Sequence, residues 1–294
     1  MTWQLTLTGL FIGLLVGLTG MGGGSLMTPI LILFFGFKPT LAVGTDILHG
    51  AVFKSFGAVQ HRRLGTVHAR LTFWMFLGSG PMSLLGVQTA EWLQSKYGDG
   101  VESASAKVIG AALILGGLGF LAKTFVNRGV QPNDAPFLLT TRDRVIAFAL
   151  GATGGYIVGL TSVGSGTFFA LVMLLVFPLT AAKIVGTDIF HAAALLWVAG
   201  FAHLIHGNVD LGAMGWLLLG SIPGVLVGSR FTVRLPERSL RIALATVLFA
   251  SGVRLLEFPG YSLLVPAILV VGAIGAAAVE YRRVNGRVAQ TEAV

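Results

Sequence analysis

Long apolar runs alternate along this chain with short polar or glycine-rich interruptions. The runs fall at about 5–18, 25–37, 44–60, 70–90, 106–122, 145–160, 166–178, 186–202, 211–229, 240–256 and 262–280. A perpendicular helical span needs roughly 20 residues, within a range of about 17–25. Most of the runs reach or approach that length, which predicts an all-α integral membrane protein. Runs 25–37 and 166–178 are too short, at about 1.5 Å per residue, to cross a core of about 30 Å. Each directly follows a glycine-rich break. Two arrangements fit: thin or tilted spans joined by tight turns, or re-entrant hairpins with their tips at 20–24 and 162–166 inside the membrane. Irregular backbone is tolerated at that depth where it lines a protein cavity.

The interruptions repeat. Gly17-Leu18-Thr19-Gly20-Met21-Gly22-Gly23-Gly24, with Gly44-Thr45-Asp46-Ile47-Leu48-His49 downstream, returns as Gly159-Leu160-Thr161-Ser162-Val163-Gly164-Ser165-Gly166 and Gly186-Thr187-Asp188-Ile189-Phe190-His191 at a constant offset of 142. The register extends further without a gap: Gly9 matches Gly151, Gly13 matches Gly155, Gly78-Ser79 matches Gly220-Ser221, Pro81 matches Pro223 and Gly110 matches Gly252. The chain therefore reads as a first repeat over 1–123, a linker over 124–143, a second repeat over 144–257, and an extra helix with its tail over 258–294. Each repeat holds about five helical segments and opens with a broken hairpin. Equivalent interruptions in both halves of a duplicated membrane chain point to a transporter, with the breaks marking its binding site.

Charge gives the halves their orientation. Five segments is an odd number, so the second copy is expected to enter the membrane inverted. Arg62, Arg63 and Arg70 lie in 61–70, whereas 203–212 has no lysine or arginine. Lys123, Arg128, Arg142 and Arg144 lie in 123–144, against none in 257–261. Conversely, 229–241 holds Arg230, Arg234, Arg238 and Arg241, whereas 91–107 has Lys96 and Lys107 beside Glu91, Asp99 and Glu102. The positive-inside rule then places 61–70, 123–144, 229–241 and the tail with Arg282, Arg283 and Arg287 in the cytoplasm. This predicts a multi-pass protein of the cell membrane with its N-terminus outside and its C-terminus cytoplasmic.

Composition narrows the function classes. Charged residues are 11% of the chain and hydrophobic residues 54%, with a mean hydropathy of +0.84; soluble domains carry about 25% charged residues. The net charge of +8 thus belongs to membrane loops and is not a nucleic-acid footprint. With no cysteine, disulfide and thiol chemistry are excluded. Met1-Thr2-Trp3-Gln4 carries no basic side chain, which argues against a cleaved signal peptide. No P-loop lysine and no dinucleotide fingerprint is present, so neither an enzyme nor a cofactor is expected. Gly164-Ser165-Gly166 with His191 has the look of a serine nucleophile and base, but the matching triplet Gly22-Gly23-Gly24 has no hydroxyl.

The candidate chemistry lies in the repeated phrases. Where the chain resumes a helix at Ser25 and Thr167, unpaired N–H groups and the positive helix end face the break, and such an end binds anions. This nominates Gly22, Gly23, Gly24, Ser25, Gly164, Ser165, Gly166 and Thr167 as substrate-binding; close helix packing is the other role open to such glycines. Thr45 and Thr187 can cap a helix start or donate a hydroxyl. Asp46 and Asp188 either complete those caps or act in gating or proton coupling. His49 and His191 share a face with the aspartates and are nominated as substrate-binding; a histidine side chain can change charge near neutral pH, which suits proton coupling. Lys54 lies within an apolar run, where it can neutralise an anion, pair with an aspartate or snorkel; its repeat partner is Leu196. His61, His203 and His206 sit at run ends and are expected to be solvated.

The order Gly20-x-Gly22-Gly23-Gly24-x-x-x-Thr28-Pro29, then Gly44-Thr45-Asp46, with a degenerate second copy, resembles the TauE/SafE family of membrane transporters over about residues 5–280. The second copy departs from it in Gly-Ser-Gly and in Leu171, which stands opposite Pro29. The resemblance implies export of a small sulfur-containing anion, sulfite or an organosulfonate such as sulfoacetate, without a nucleotide-hydrolysing partner. The expected partners are that anion and the lipid bilayer, and a homo-oligomer is compatible with them. Two other readings stay open: a cation- or proton-coupled carrier of another solute using Asp46 and Asp188, and an anion channel or intramembrane scaffold.

Overall fold

A computed structural model describes residues 2–19, 24–97, 99–125, 138–163, 168–179, 181–231 and 237–291. Among the described residues are eleven helices and no strand: α1 (Thr2–Thr19), α2 (Gly24–Phe35), α3 (Pro39–Arg63), α4 (Ala69–Tyr97), α5 (Asp99–Phe125), α6 (Thr141–Thr161), α7 (Phe168–Val176), α8 (Ala181–Ile205), α9 (Leu211–Phe231), α10 (Glu237–Leu255) and α11 (Tyr261–Thr291). Each apolar run has become one helix, and most helices extend past their run. Region 91–107 is thus largely the adjoining ends of α4 and α5 and not a loop. The two short runs remain short. At 12 and 9 residues, α2 and α7 are about 18 and 14 Å long, well under a membrane core.

Helix ends follow local chemistry. Pro39 supplies a preset φ in the first turn of α3. Thr140 and Asp143 form a reciprocal capping box on α6. The α3 and α8 ends are twins: Gly65 and Gly207 take positive φ (68° and 75°). In both places a six-residue turn closes back, Thr66 N–H to the His61 carbonyl and Asn208 N–H to the His203 carbonyl. Only glycine adopts that conformation without strain, which is why the chain turns there.

The packing interleaves the two halves. α1 lies along α9 and α6 along α4, while α3 pairs with α8 and α5 with α10. Close approach depends on glycine. A Cβ on Gly9 would strike the backbone of Leu217, and one on Gly13 the backbone of Ser221; Gly151 and Gly155 stand in the same relation to Met75 and Ser79. Adding 142 to the first member of a contact and subtracting 142 from the second yields another contact of the structure. Gly78 against Phe148 likewise answers to Gly220 against Thr6.

Direction can be read from the same contacts. Along α3, Gly44 faces His203 and Asn208, Gly50 faces Leu196, and Gly57 faces Ile189. Partner numbers fall as α3 numbers rise, so α3 and its repeat equivalent α8 run antiparallel. α1 and α9 run parallel, as do α6 and α4. Gly159 sits against Ser83; α6 then stops within two residues, while α4 continues for fourteen. The end of α6 therefore falls about 18 Å short of the end of α4.

Apolar side chains face outward and polar ones inward. Leu263, Leu115 and Phe34 are at least 68% exposed, whereas Asp46, Lys54 and Asp188 are at most 2% exposed. That distribution suits lipid rather than water as the surrounding solvent. By length and composition, Thr141–Thr161, Lys183–Ile205 and Tyr261–Ala278 can cross a membrane.

Candidate functional site

The antiparallel pair α3 and α8 forms the axis of the site. Asp46, His49 and Lys54 come from α3, and Asp188 and His191 from α8; all five are buried. Lys54 lies within electrostatic reach of Asp188 and Asp46, and also of His49 and His191. The structure thus gathers five of the sequence-nominated residues, four of them around the ammonium group of the fifth, Lys54.

Asp46 is the most heavily engaged of them. One carboxylate oxygen, Oδ2, accepts the Thr28 hydroxyl at 2.6 Å, the Ser162 hydroxyl at 2.8 Å and the Thr28 backbone N–H at 3.2 Å. Thr28 belongs to the first turns of α2, just past the first glycine break. Ser162 ends α6, at the edge of the second break. It takes a left-handed conformation there (φ 62°, ψ −14°), which costs a non-glycine residue about 1–2 kcal/mol. Hydrogen bonds to a charged acceptor contribute about 1.5–3 kcal/mol each, enough to offset that strain. Chain on both sides of the molecule is thus tied to one oxygen.

The histidines are held as a symmetric pair. His49 Nε2 shares a hydrogen bond with Ser221 Oγ at 2.8 Å, and His191 Nε2 with Ser79 Oγ at 2.9 Å. Each serine belongs to the other half, on the helix surface that receives Gly13 or Gly155. Their ring neighbours differ: His191 meets Phe169 of α7 edge-on at 4.5 Å, whereas His49 lies 5.2 Å from Phe53 of its own helix.

Two sequence-based expectations are corrected. Thr45 and Thr187 do not cap helices, and Asp46 and Asp188 do not complete caps, because α3 starts at Pro39 and α8 at Ala181. The threonine hydroxyls instead accept backbone N–H groups from Asp210 and His68, both at 2.9 Å. Those two residues cap the next helices, Asp210 Oδ1 accepting from Ala213 N–H and His68 Nδ1 from Leu71 N–H. The second correction concerns His203. It is buried, not solvated, and its Nε2–H donates to the Gly159 carbonyl at 3.0 Å. His206 is exposed, and the partly buried His61 bonds Thr66 through Nδ1.

Gly22, Gly23, Gly164, Ser165, Gly166 and Thr167 lie outside the described residues. Gly24 and Ser25 form the first turn of α2. Ser79, Ser221 and Ser162 were missed as functional groups. The Gly78-Ser79 and Gly220-Ser221 register was visible, but only the fold aims those hydroxyls at histidines. A groove of about 500 Å³ lies nearby, lined by residues such as Ala111, Leu115, Ile157, Leu160 and Val163. It is apolar and separate from the charged cluster, which is closed off from solvent. Among the described residues, no group of three or more metal-ligating side chains is arranged to hold a metal ion.

Residues 5–255 match the family model described as Sulfite exporter TauE/SafE. The chain is 38% identical over 256 residues to the probable membrane transporter protein YjnA of Bacillus subtilis, covering 87% of this chain and all of that one. It is 24% identical over 246 residues to the probable membrane transporter protein YdhB of the same organism, covering 83% of this chain and 96% of that one. No solved structure matches significantly. A buried charged cluster between helix breaks, an apolar exterior and a match over nearly the whole chain agree: this protein belongs to the TauE/SafE sulfite exporter family of membrane transporters.

Proposed function

We propose that the chain is a secondary transporter that exports a small sulfur-containing anion, sulfite or an organosulfonate such as sulfoacetate, by alternating access. The observation that carries this reading is the convergence of both helix breaks on one point: Thr28 after the first and Ser162 before the second bond the same Asp46 oxygen. An anion held between the breaks would draw on N–H groups at Gly22–Ser25 and Gly164–Thr167 and on positive charge from Lys54. His49 and His191 add polar contact, and Asp46 and Asp188 serve gating or proton coupling. In this reading the halves are inverted repeats, which the antiparallel crossing of α3 with α8 supports. Their breaks are re-entrant tips, which the early end of α6 beside α4 supports. The N-terminus then lies outside and the C-terminus in the cytoplasm.

Flux in proteoliposomes tests the proposal. Sulfite or sulfonate uptake is expected to saturate and to show counterflow, and Gly23→Leu is expected to abolish it in protein that remains folded. Unsaturated conductance driven by potential alone would favour a channel. A cation- or proton-coupled carrier of another solute draws its support from the two buried carboxylates beside Lys54; flux of a neutral or cationic solute with none of sulfonate would select it.

A further inference from the structure

We infer that Asp46 is a built-in stand-in for the transported anion, occupying the substrate's own hydrogen-bond donors whenever the site is empty. The inference rests on the anion-exporter reading above and adds to it the rule by which the site accepts and gives up its cargo.

Asp46 Oδ2 takes three donors, two hydroxyls and one backbone N–H, from the chain flanking both breaks. That is the donor set a small oxyanion would need, and a carboxylate already fills it. Nearby is polar capacity that the carboxylate does not use. His49, one turn along α3, is fully buried, and its Nδ1 has no hydrogen-bond partner among the described residues. Lys54 is the charged group within electrostatic reach of Asp46, and the other buried titratable groups of α3 and α8 are His49, Asp188, His191 and His203. α2 brings hydroxyls and no ionisable side chain. On α9 and α5 the charged residues, Arg230 and then Asp99, Glu102, Lys107 and Lys123, lie toward the helix ends.

Second copies of residues sharpen the assignment. The positions equivalent to Thr28 and Ser162 are Ala170 and Gly20. Neither side chain can donate a hydrogen bond, so the two hydroxyl donors of Asp46 have no counterparts at the equivalent positions of the sequence. The stand-in role is assigned to Asp46 on the hydroxyl pair that it binds.

Two anions cannot share one donor cluster in a dry site while both stay ionised. An arriving anion therefore takes the Thr28 and Ser162 donors only as Asp46 gains a proton. The proton comes from the aqueous side to which the site is open, forms an O–H bond on the carboxyl, and returns to water on the other side when the anion leaves. No covalent bond to the anion forms or breaks. A monovalent anion moves with one proton, and the step is electroneutral.

Methanesulfonate suits the test, because it stays a monoanion across the working pH range. Its binding to the full-length protein in nanodiscs is measured by calorimetry from pH 5.5 to 8.5, in two buffers of different ionisation enthalpy. The wild type is expected to take up one proton per anion, with affinity falling toward about tenfold per pH unit at the alkaline end. Asp46→Asn, nearly isosteric, is expected to bind without proton uptake, with a flat pH profile and at least about tenfold more tightly at pH 8.5. Thr28→Val and Ser162→Ala, each placed in the Asp46→Asn background, are expected to weaken binding at least about tenfold as ligand donors. An unchanged pH slope in Asp46→Asn, or undiminished binding in both donor variants, overturns the inference and leaves anion transport standing. If the wild type binds neither methanesulfonate nor sulfite, the exporter reading falls and the inference falls with it.

Discussion

Around Asp46, chain from both helix breaks converges: a threonine and a serine hydroxyl and one backbone N–H meet a single oxygen. For Asp188, at the same place in the other half, the sequence has alanine and glycine at the positions equivalent to the two hydroxyl donors, and Lys54 lies within electrostatic reach. Several other equivalents are treated alike in the two halves. Two histidines bond two serines, two threonines receive two loop N–H groups, and two glycine pairs admit two backbones. Symmetry is thus kept in the parts that hold helices together and given up in the parts that hold charge. Under the proposed function, a site for one small ion has no need of two identical walls, whereas a scaffold that rocks between two faces gains from matched joints.

The comparison can be broken most forcefully at the joints. Gly13→Val and Gly155→Val each drive a side chain into serine backbone. Both are expected to cost about 3 kcal/mol or more and to abolish monodisperse protein in detergent, read by fluorescence-detected size exclusion. Tolerance of one but not the other would show that the two joints are not equivalent. Ser162 offers a subtler test. Ser162→Ala loses the bond to Asp46 and keeps the left-handed backbone, whereas Ser162→Gly loses the bond and relieves the strain. The glycine variant, which matches Gly20 in the other half, is expected to melt higher than the alanine variant, by about 1 kcal/mol in stability. An equal or lower melting temperature would mean that Ser162 stores no backbone strain. The smallest expected effect concerns the loop anchors. Thr45→Val and Thr187→Val are each expected to cost about 1 kcal/mol, with the two melting curves nearly superimposed. A clear separation between them would carry the asymmetry beyond the charge centre.

Much of this was legible before any coordinates. Apolar run length and the constant offset between phrases are local, one-dimensional signals, and they located all eleven helices. They also identified Asp46, His49, Lys54, Asp188 and His191 as residues of interest, because a charge inside an apolar run stands out against its neighbours. What they did not convey was who meets whom. Thr45 looks like a cap when the apolar run is taken as the helix, but Pro39 starts α3 earlier, and the threonine faces a distant loop. His203 lies just past the end of its apolar run and reads as solvated; the end of α6, far away in sequence, covers it and accepts its hydrogen bond. Ser79 and Ser221 are ordinary small residues in a helix until a histidine from the opposite half arrives. Pairings of this kind are long-range and leave no mark on the spacing within one segment.

The interleaving of α1 with α9 and α6 with α4 bears on how such a chain is made. Contacts that survive the exchange of one half for the other are those of an isologous two-fold assembly. Here the two partners happen to be joined by a linker. Each half lends its opening helix to the other, so during synthesis α1 has no seat until α9 emerges, late in translation. Neither half is a self-sufficient folding unit. The surface that a single half lacks is the one that the exchange-related contacts would let a second copy of it supply.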